Sequence, residues 1–253
     1  YGNAFVSEPV HNLVHRIVLD PRGVTFSSHR ASGEERSEFL ASSDNWFRPT
    51  MTRTGPDGGL WIADMYRGVI EHPQYFYEGN FKKLNVRAGD RMGRLYRVVP
   101  AATRPRSLAP LKSLEPGDSA GLAAATASPN GWIRDMAHQR LAHTRPAGAA
   151  PHLARLAVEA KNSPGRVQAL CALDALRKEA GEELMTRTLA AALRDKHPGV
   201  RRHALRICEA YLQESLPLQQ AVLALENDAD PHVQLQLAYT LGEWNAPEAG
   251  RAL

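Results

Sequence analysis

"DKHPGVRRHAL", residues 195–205, returns 33 residues later as "DADPHVQLQLA", residues 228–238. Each copy has an acidic start, a proline and then apolar residues four apart. Extending the series backwards aligns Ile133, Val167, Val200 and Val233, at spacings of 34, 33 and 33. Four residues on stand Ala137, Cys171, Ala204 and Leu237; eight on stand Leu141, Ala175, Cys208 and Leu241. Positions i, i+4 and i+8 share one helical face, so each copy predicts a helix with a buried stripe. Pro129, Pro164, Pro198 and Pro231 sit just ahead of the starts, where a first helical turn tolerates a missing N–H. Leu156, Leu189 and Val222 mark a second helix per unit at a period of 33. A helix pair stacked about four times predicts an α-solenoid, each unit burying its apolar face on its neighbours.

The two opening segments resemble the short bacterial HEAT-type repeat, with its D-x-x-P-x-V-R-x-x-A start. The tetratricopeptide and ankyrin patterns of similar period are absent. The resemblance covers residues 118–245, and "APEAGRAL" at 246–253 resembles the start of another unit. In this register Cys171 and Cys208 fill stripe positions, where a thiol acts as a small apolar group. Two cysteines cannot build a disulfide framework or a four-ligand zinc site. His197, His203 and His232 fall on helix starts or solvent-facing positions. The basic run at 194–206 reads as a solvated helix face capped by the acidic "ALENDADPH" of the next unit.

Composition changes near residue 100. Residues 1–100 hold 13 of the 17 aromatic residues but only 5 alanines, against 32 alanines afterwards. Aromatic and β-branched runs between Gly and Asp predict strands, and alanine-rich runs predict helices. "VVPAATRPRSLAPLKSLEPGDS", 98–119, has linker composition. The expected order is a β-rich part at 1–100, a linker at 101–117 and a helical part at 118–253. Lys and Arg exceed Asp and Glu by two in each half, 13 to 11 and then 18 to 16. No basic arm or face emerges, which argues against nucleic acid. No stretch approaches the ~18 apolar residues that cross a bilayer, and the chain opens as though inside a domain.

Two Asp-Pro or Pro-Asp turns shape the β-rich half. "HRIVLDPRGVTFSSHRAS", 15–32, predicts a hairpin turning at Asp20-Pro21-Arg22-Gly23, with Pro at the second turn position. "GPDGGLWIAD", 55–64, predicts the same device, and "GRLYRVVP", 93–100, a last strand. Small meanders of this kind build propellers. His11 and His15 lie on a predicted strand, ~13 Å apart at ~3.3 Å per residue, too far to share one metal.

"NAFVSEPVHNLVHR", "FLASSDNWFRPT", "GPDGGLWIADMYRGVIEHPQYF" and "GRLYRVVP" resemble the last propeller blades of a bacterial family. These are the membrane-bound dehydrogenases common in planctomycetes and verrucomicrobia, similar to soluble quinoprotein glucose and sorbosone dehydrogenases. The resemblance implies a partial β-propeller followed by HEAT-like repeats, an exported or periplasmic setting and a sugar or polyol substrate. It also implies pyrroloquinoline quinone and calcium as cofactors of the intact protein. A haem c domain, or a cytochrome or other protein partner on the solenoid, belongs to the same expectation; the chain itself contains no C-x-x-C-H. Asp64, Tyr66, Arg67, Glu71 and His72 follow a predicted strand directly, where a propeller places ligand-binding loops. The expected roles are His72 as base with Asp64 or Glu71 orienting it, and Arg48, Arg67 and Tyr66 toward the cofactor. Calcium would take oxygens from Asp64 or Glu71. The competing reading is structural: Trp46 and Phe47 wedge the sheets, Arg48 pairs with Asp64, and Tyr66 and His72 hold their loop. Glu8, His11 and Asn12 are further candidates. No P-loop, G-x-S-x-G or G-x-G-x-x-G occurs, which removes the anchors for ATP, serine-hydrolase and NAD chemistry. A protein-binding scaffold without catalysis is the alternative function.

Overall fold

The structure, a computed structural model, describes residues 2–77, 80, 82–101, 114–115 and 117–252. The chain divides into two compact units, Tyr1–Ser107 and Leu108–Leu253. Most of the expected linker, residues 102–113 and 116, lies outside the described residues. Strands occupy the first unit and helices the second. Among the described residues no helix is long and apolar enough to cross a membrane.

The first unit holds two antiparallel sheets. Strands β1 (Asn3–Glu8), β2 (Leu13–Arg22) and β3 (Thr25–Arg30) form a meander, and the short β4 (Leu40–Ala41) pairs with the start of β2. Strands β5 (Pro49–Thr54), β6 (Leu60–Asp64) and β7 (Arg94–Val98) form the second meander. Neither sheet closes on itself. The first hairpin corrects the expected turn. Arg22 pairs with Thr25, so Gly23 (φ 58°) and Val24 make the bend, and Pro21 lies within β2 opposite Phe26. A two-residue loop is closed by a hydrogen-bonded pair, which leaves Pro21 at a position whose N–H the β3 ladder does not use. The second hairpin turns where expected. Asp57 Oδ1 accepts the Gly59 N–H at 3.2 Å and the Trp61 indole N–H at 3.0 Å, and its other oxygen faces Arg97.

Ten helices follow among the described residues: α1 (Ser119–Ala125), α2 (Gly131–Thr144), α3 (Ala149–Glu159), α4 (Ser163–Ala175), α5 (Arg177–Ala180), α6 (Glu182–Ala192), α7 (Pro198–Cys208), α8 (Leu216–Leu223), α9 (Pro231–Gly242) and α10 (Pro247–Ala252). They lie in two rows. Helix α1 packs on α3, α3 on α6 and α6 on α8; α2 packs on α4, α4 on α7 and α7 on α9. One continuous apolar core runs between the rows. The architecture is a helical repeat.

The N-caps correct the repeat register. Asn130, Asn162, His197 and Asp230 cap α2, α4, α7 and α9, so the spacings are 32, 35 and 33. Seven and eleven residues after each cap stand Ala137 and Leu141, Ala169 and Leu173, Ala204 and Cys208, Leu237 and Leu241, all buried. The expected stripe of α4, Val167, Cys171 and Ala175, is only half-buried. "VQALCALDA" offers apolar residues on two faces, so four-residue spacing alone fits more than one stripe. Gly165 hides the true start: a Cβ there would come within 2.9 Å of Ala127 Cα, so the close approach of α4 admits no side chain. Pro129 also departs from expectation, preceding the cap Asn130 rather than entering the first turn.

Four residues after the cap, Arg134, Arg166 and Arg201 each donate to a carbonyl six residues back, Ser128, Ala160 and Asp195, at 2.8 Å. Arg166 also grips Asp195 bidentately (2.6 and 2.9 Å), and Arg201 grips Asp228 (both 2.7 Å). The aspartates that open "DKHP" and "DADP" are therefore the ties between successive units. Burial works against ionising Asp195 and Asp228, but the guanidinium hydrogen bonds, the main-chain N–H groups of His197 and Asp230 and the charge attraction together outweigh it and hold both carboxyls below the usual range.

Candidate functional site

The stretch after β6 folds around Asp64, whose side chain is fully buried. Its Oδ1 accepts the main-chain N–H groups of Arg48 (2.7 Å) and Tyr66 (2.9 Å). Its Oδ2 accepts Arg94 Nε at 2.7 Å, and Arg94 Nη1 reaches Asp44 at 3.0 Å. Burial opposes the charge on Arg94, yet the two carboxylates raise its pKa. The expected Arg48–Asp64 ion pair is thus replaced. Arg48 meets Asp64 through its backbone, and the ionic partner of Asp64 is Arg94, thirty residues on in the next strand. The register explains it: Asp64 pairs with Arg94 across β6 and β7.

The Arg48 guanidinium is buried and, among the described residues, donates only to main-chain carbonyls: Pro9 (2.8 Å), Arg67 (3.0 Å), Val10 (3.2 Å) and Gly68 (3.2 Å). It ties the β1–β2 turn to the chain leaving β6. Asn12, in a left-handed conformation (φ 61°), adds bonds to the carbonyls of Phe47 (2.6 Å) and Asn45 (3.2 Å). Beside this knot Arg67 is half-buried, and its Nη1 is buried without a hydrogen-bond partner among the described residues. Neither Arg48 nor Arg67 is paired with a carboxylate there.

Tyr66 is also left-handed (φ 51°), which turns its ring between Trp46, at 5.4 Å, and the Arg94 guanidinium, at 4.0 Å. Phe47 is buried with Val14 and Ile62 in the small core of this unit, so it does wedge the sheets, while Trp46 stays partly exposed. The excursion from β6 to β7 returns through Gly89, where a Cβ would collide with the Tyr66 carbonyl.

His72 and Glu71 stand apart from Asp64. His72 is exposed, packs edge-on to Tyr75, and caps the 3-10 turn Pro73–Tyr75 by accepting the Gln74 N–H at Nδ1 (3.3 Å). With Nδ1 as acceptor, the neutral ring carries its proton on Nε2 and presents a donor, not a base. Glu71 accepts the Ile70 N–H at 3.1 Å and is exposed. Glu8 binds the His11 ring at 2.8 Å, and His15 binds Glu38 at 2.6 Å. Among the described residues no group of three or more His, Cys, Asp or Glu is placed to hold a metal ion. Asp64 has no exposed oxygen to offer calcium, so the implied ion does not fit there.

Arg94 was not singled out from the sequence, although its place in "GRLYRVVP" opposite "LWIAD" is the signal that finds it. In the helical unit His203 corrects an expectation: it is half-buried, its Nδ1 lies 3.8 Å from Cys171 Sγ, and burial lowers its pKa.

Residues 1–102 match the family described as Domain of unknown function (DUF7133). No curated protein matches the chain. The family description covers the β-rich unit and names no reaction, so what is similar there is a domain and not yet an activity.

Proposed function

We propose that residues 2–100 are blades of a β-propeller whose loop rim takes an anionic ligand, and that the helices form an α-solenoid of HEAT-like repeats that docks a partner. In the intact protein this is the layout of a quinoprotein-type sugar or polyol dehydrogenase, with the ligand a carboxylate-bearing quinone. The observation that carries the reading is Arg67, a half-buried cation whose buried Nη1 has no partner among the described residues, beside a second cation, Arg48, that meets only carbonyls among them. A carboxylate supplies the missing partner with the geometry a guanidinium fork prefers. The thin core supports the propeller part: Phe26 and Leu95 stand 60% and 73% exposed, as faces of sheets that pack on further sheets do.

For His72 to take a proton from a sugar hydroxyl, its ring must release Gln74. Two sheets are a fraction of a propeller, so this chain alone is expected to oxidise no sugar. Equilibrium dialysis against pyrroloquinoline quinone tests the rim. Arg67→Gln should weaken binding by about tenfold or more, the worth of a charge-assisted bond; equal binding by the variant ends the proposal. The second reading, a scaffold without catalysis, is favoured by Asp64, whose oxygens are both engaged structurally. Sugar-dependent dye reduction by the quinone-loaded intact protein would exclude it.

A further inference from the structure

The row formed by α3, α6 and α8 carries two adjoining shallow grooves. The first, about 320 Å³, lies between α3 and α6 over Ala154, Val158, Leu184 and Ala191. The second, about 690 Å³, lies between α6 and the start of α8 over Ala190 and Pro217. Arg187 lines both, so they form one track across three helices. Charge is unevenly spread along it. Arg155, Arg187 and Glu159 border the first groove, for a net of +1; Glu182, Glu183 and Glu214 against Arg187 give the second a net of −2. None of these six is in an ion pair among the described residues, whereas the arginines between the repeats are saturated.

An apolar floor with an unneutralised acidic end fits one kind of occupant. We propose that this track binds a short apolar peptide segment flanked on one side by Lys or Arg, the basic flank lying over Glu182, Glu183 and Glu214. The segment is about six extended residues long, because two grooves between helices ~10 Å apart span ~20 Å. The proposal rests on the reading of the helices as a docking module and adds the chemistry of the partner.

Panning a random 12-residue peptide library on the chain tests both levels separately. Enriched peptides should share an apolar core with one basic flank. They should lose about tenfold in affinity to E182K/E183K/E214K, the sum of three modest surface attractions reversed. Val158→Asp, at a residue already 46% exposed, should weaken them too without disturbing the fold. Peptides that bind but ignore both variants overturn the track while leaving a docking module in place. No enrichment overturns the docking module as well.

Discussion

The two units use arginine in opposite ways. In the helical unit Arg166 and Arg201 repeat the same task, each closing a bidentate pair with the aspartate of the next repeat. In the β-rich unit Arg48 and Arg94 do different tasks once each, one gathering four carbonyls and the other bridging two carboxylates. The cores differ in the same sense. An unbroken run of buried Leu, Ala and Val joins the helices, while Val14, Phe47 and Ile62 are the buried cluster of the sheets. A repeat spreads its stability over many similar interfaces. A thin sheet pair concentrates it in a few polar knots, where one lost partner leaves several buried groups unsatisfied.

That contrast is easiest to break at Arg48. Arg48→Met should cost about 3 kcal/mol by taking the shared donor from four part-buried carbonyls. Urea unfolding should show the loss in the transition of the β-rich unit, with the helical transition unmoved. A loss below about 1 kcal/mol would mean that water readily replaces the guanidinium.

The register of α4 can be sharpened next. Leu173→Ala should cost about 3 kcal/mol, as for a fully buried leucine, and Val167→Ala less than about 1 kcal/mol. The reverse order in thermal or urea unfolding would restore the evenly spaced stripe.

The interrepeat pairs set a pH dependence. Both aspartates have folded pKa values depressed below the ordinary 3.8, so their contribution is full above that value. It disappears as pH falls through the lower folded values, so the helical melting temperature should drop as pH falls below about 4. D195N/D228N should lower stability at pH 7 and flatten that drop; an unchanged slope would show that the pairs are not its source.

The smallest effect concerns the cysteines. Both thiols are raised by burial, but Cys208 is fully buried and pushed up to about 12, whereas Cys171 is half-buried. With a disulfide reagent at pH 8, Cys171 should react about tenfold faster or more, because thiolate and access govern the rate. Equal rates would place both on the same stripe.

Much of the helical unit was legible because its information is local. Asp195 and Asp228 mark two of the units, Pro198 and Pro231 follow in the first turns of their helices, and the stripe there reads off at i, i+4 and i+8. The reading slipped in α4, where Gly165 left no apolar marker and alanines crowded two faces. In the β-rich unit the second hairpin was legible from "PDGG", yet the partners of the candidate residues were not. Asp64 and Arg94 are thirty residues apart, and their ion pair exists only because β6 and β7 pair in one register. The sequence by itself determined where strands give way to helices and how often the helices repeat, since both follow from short-range periodicity. Only the tertiary structure decided that Asp64 is consumed by structure, that His72 is not among its partners, and that Arg67 Nη1 is buried without a partner among the described residues, because those outcomes depend on which distant groups the fold brings within hydrogen-bond reach.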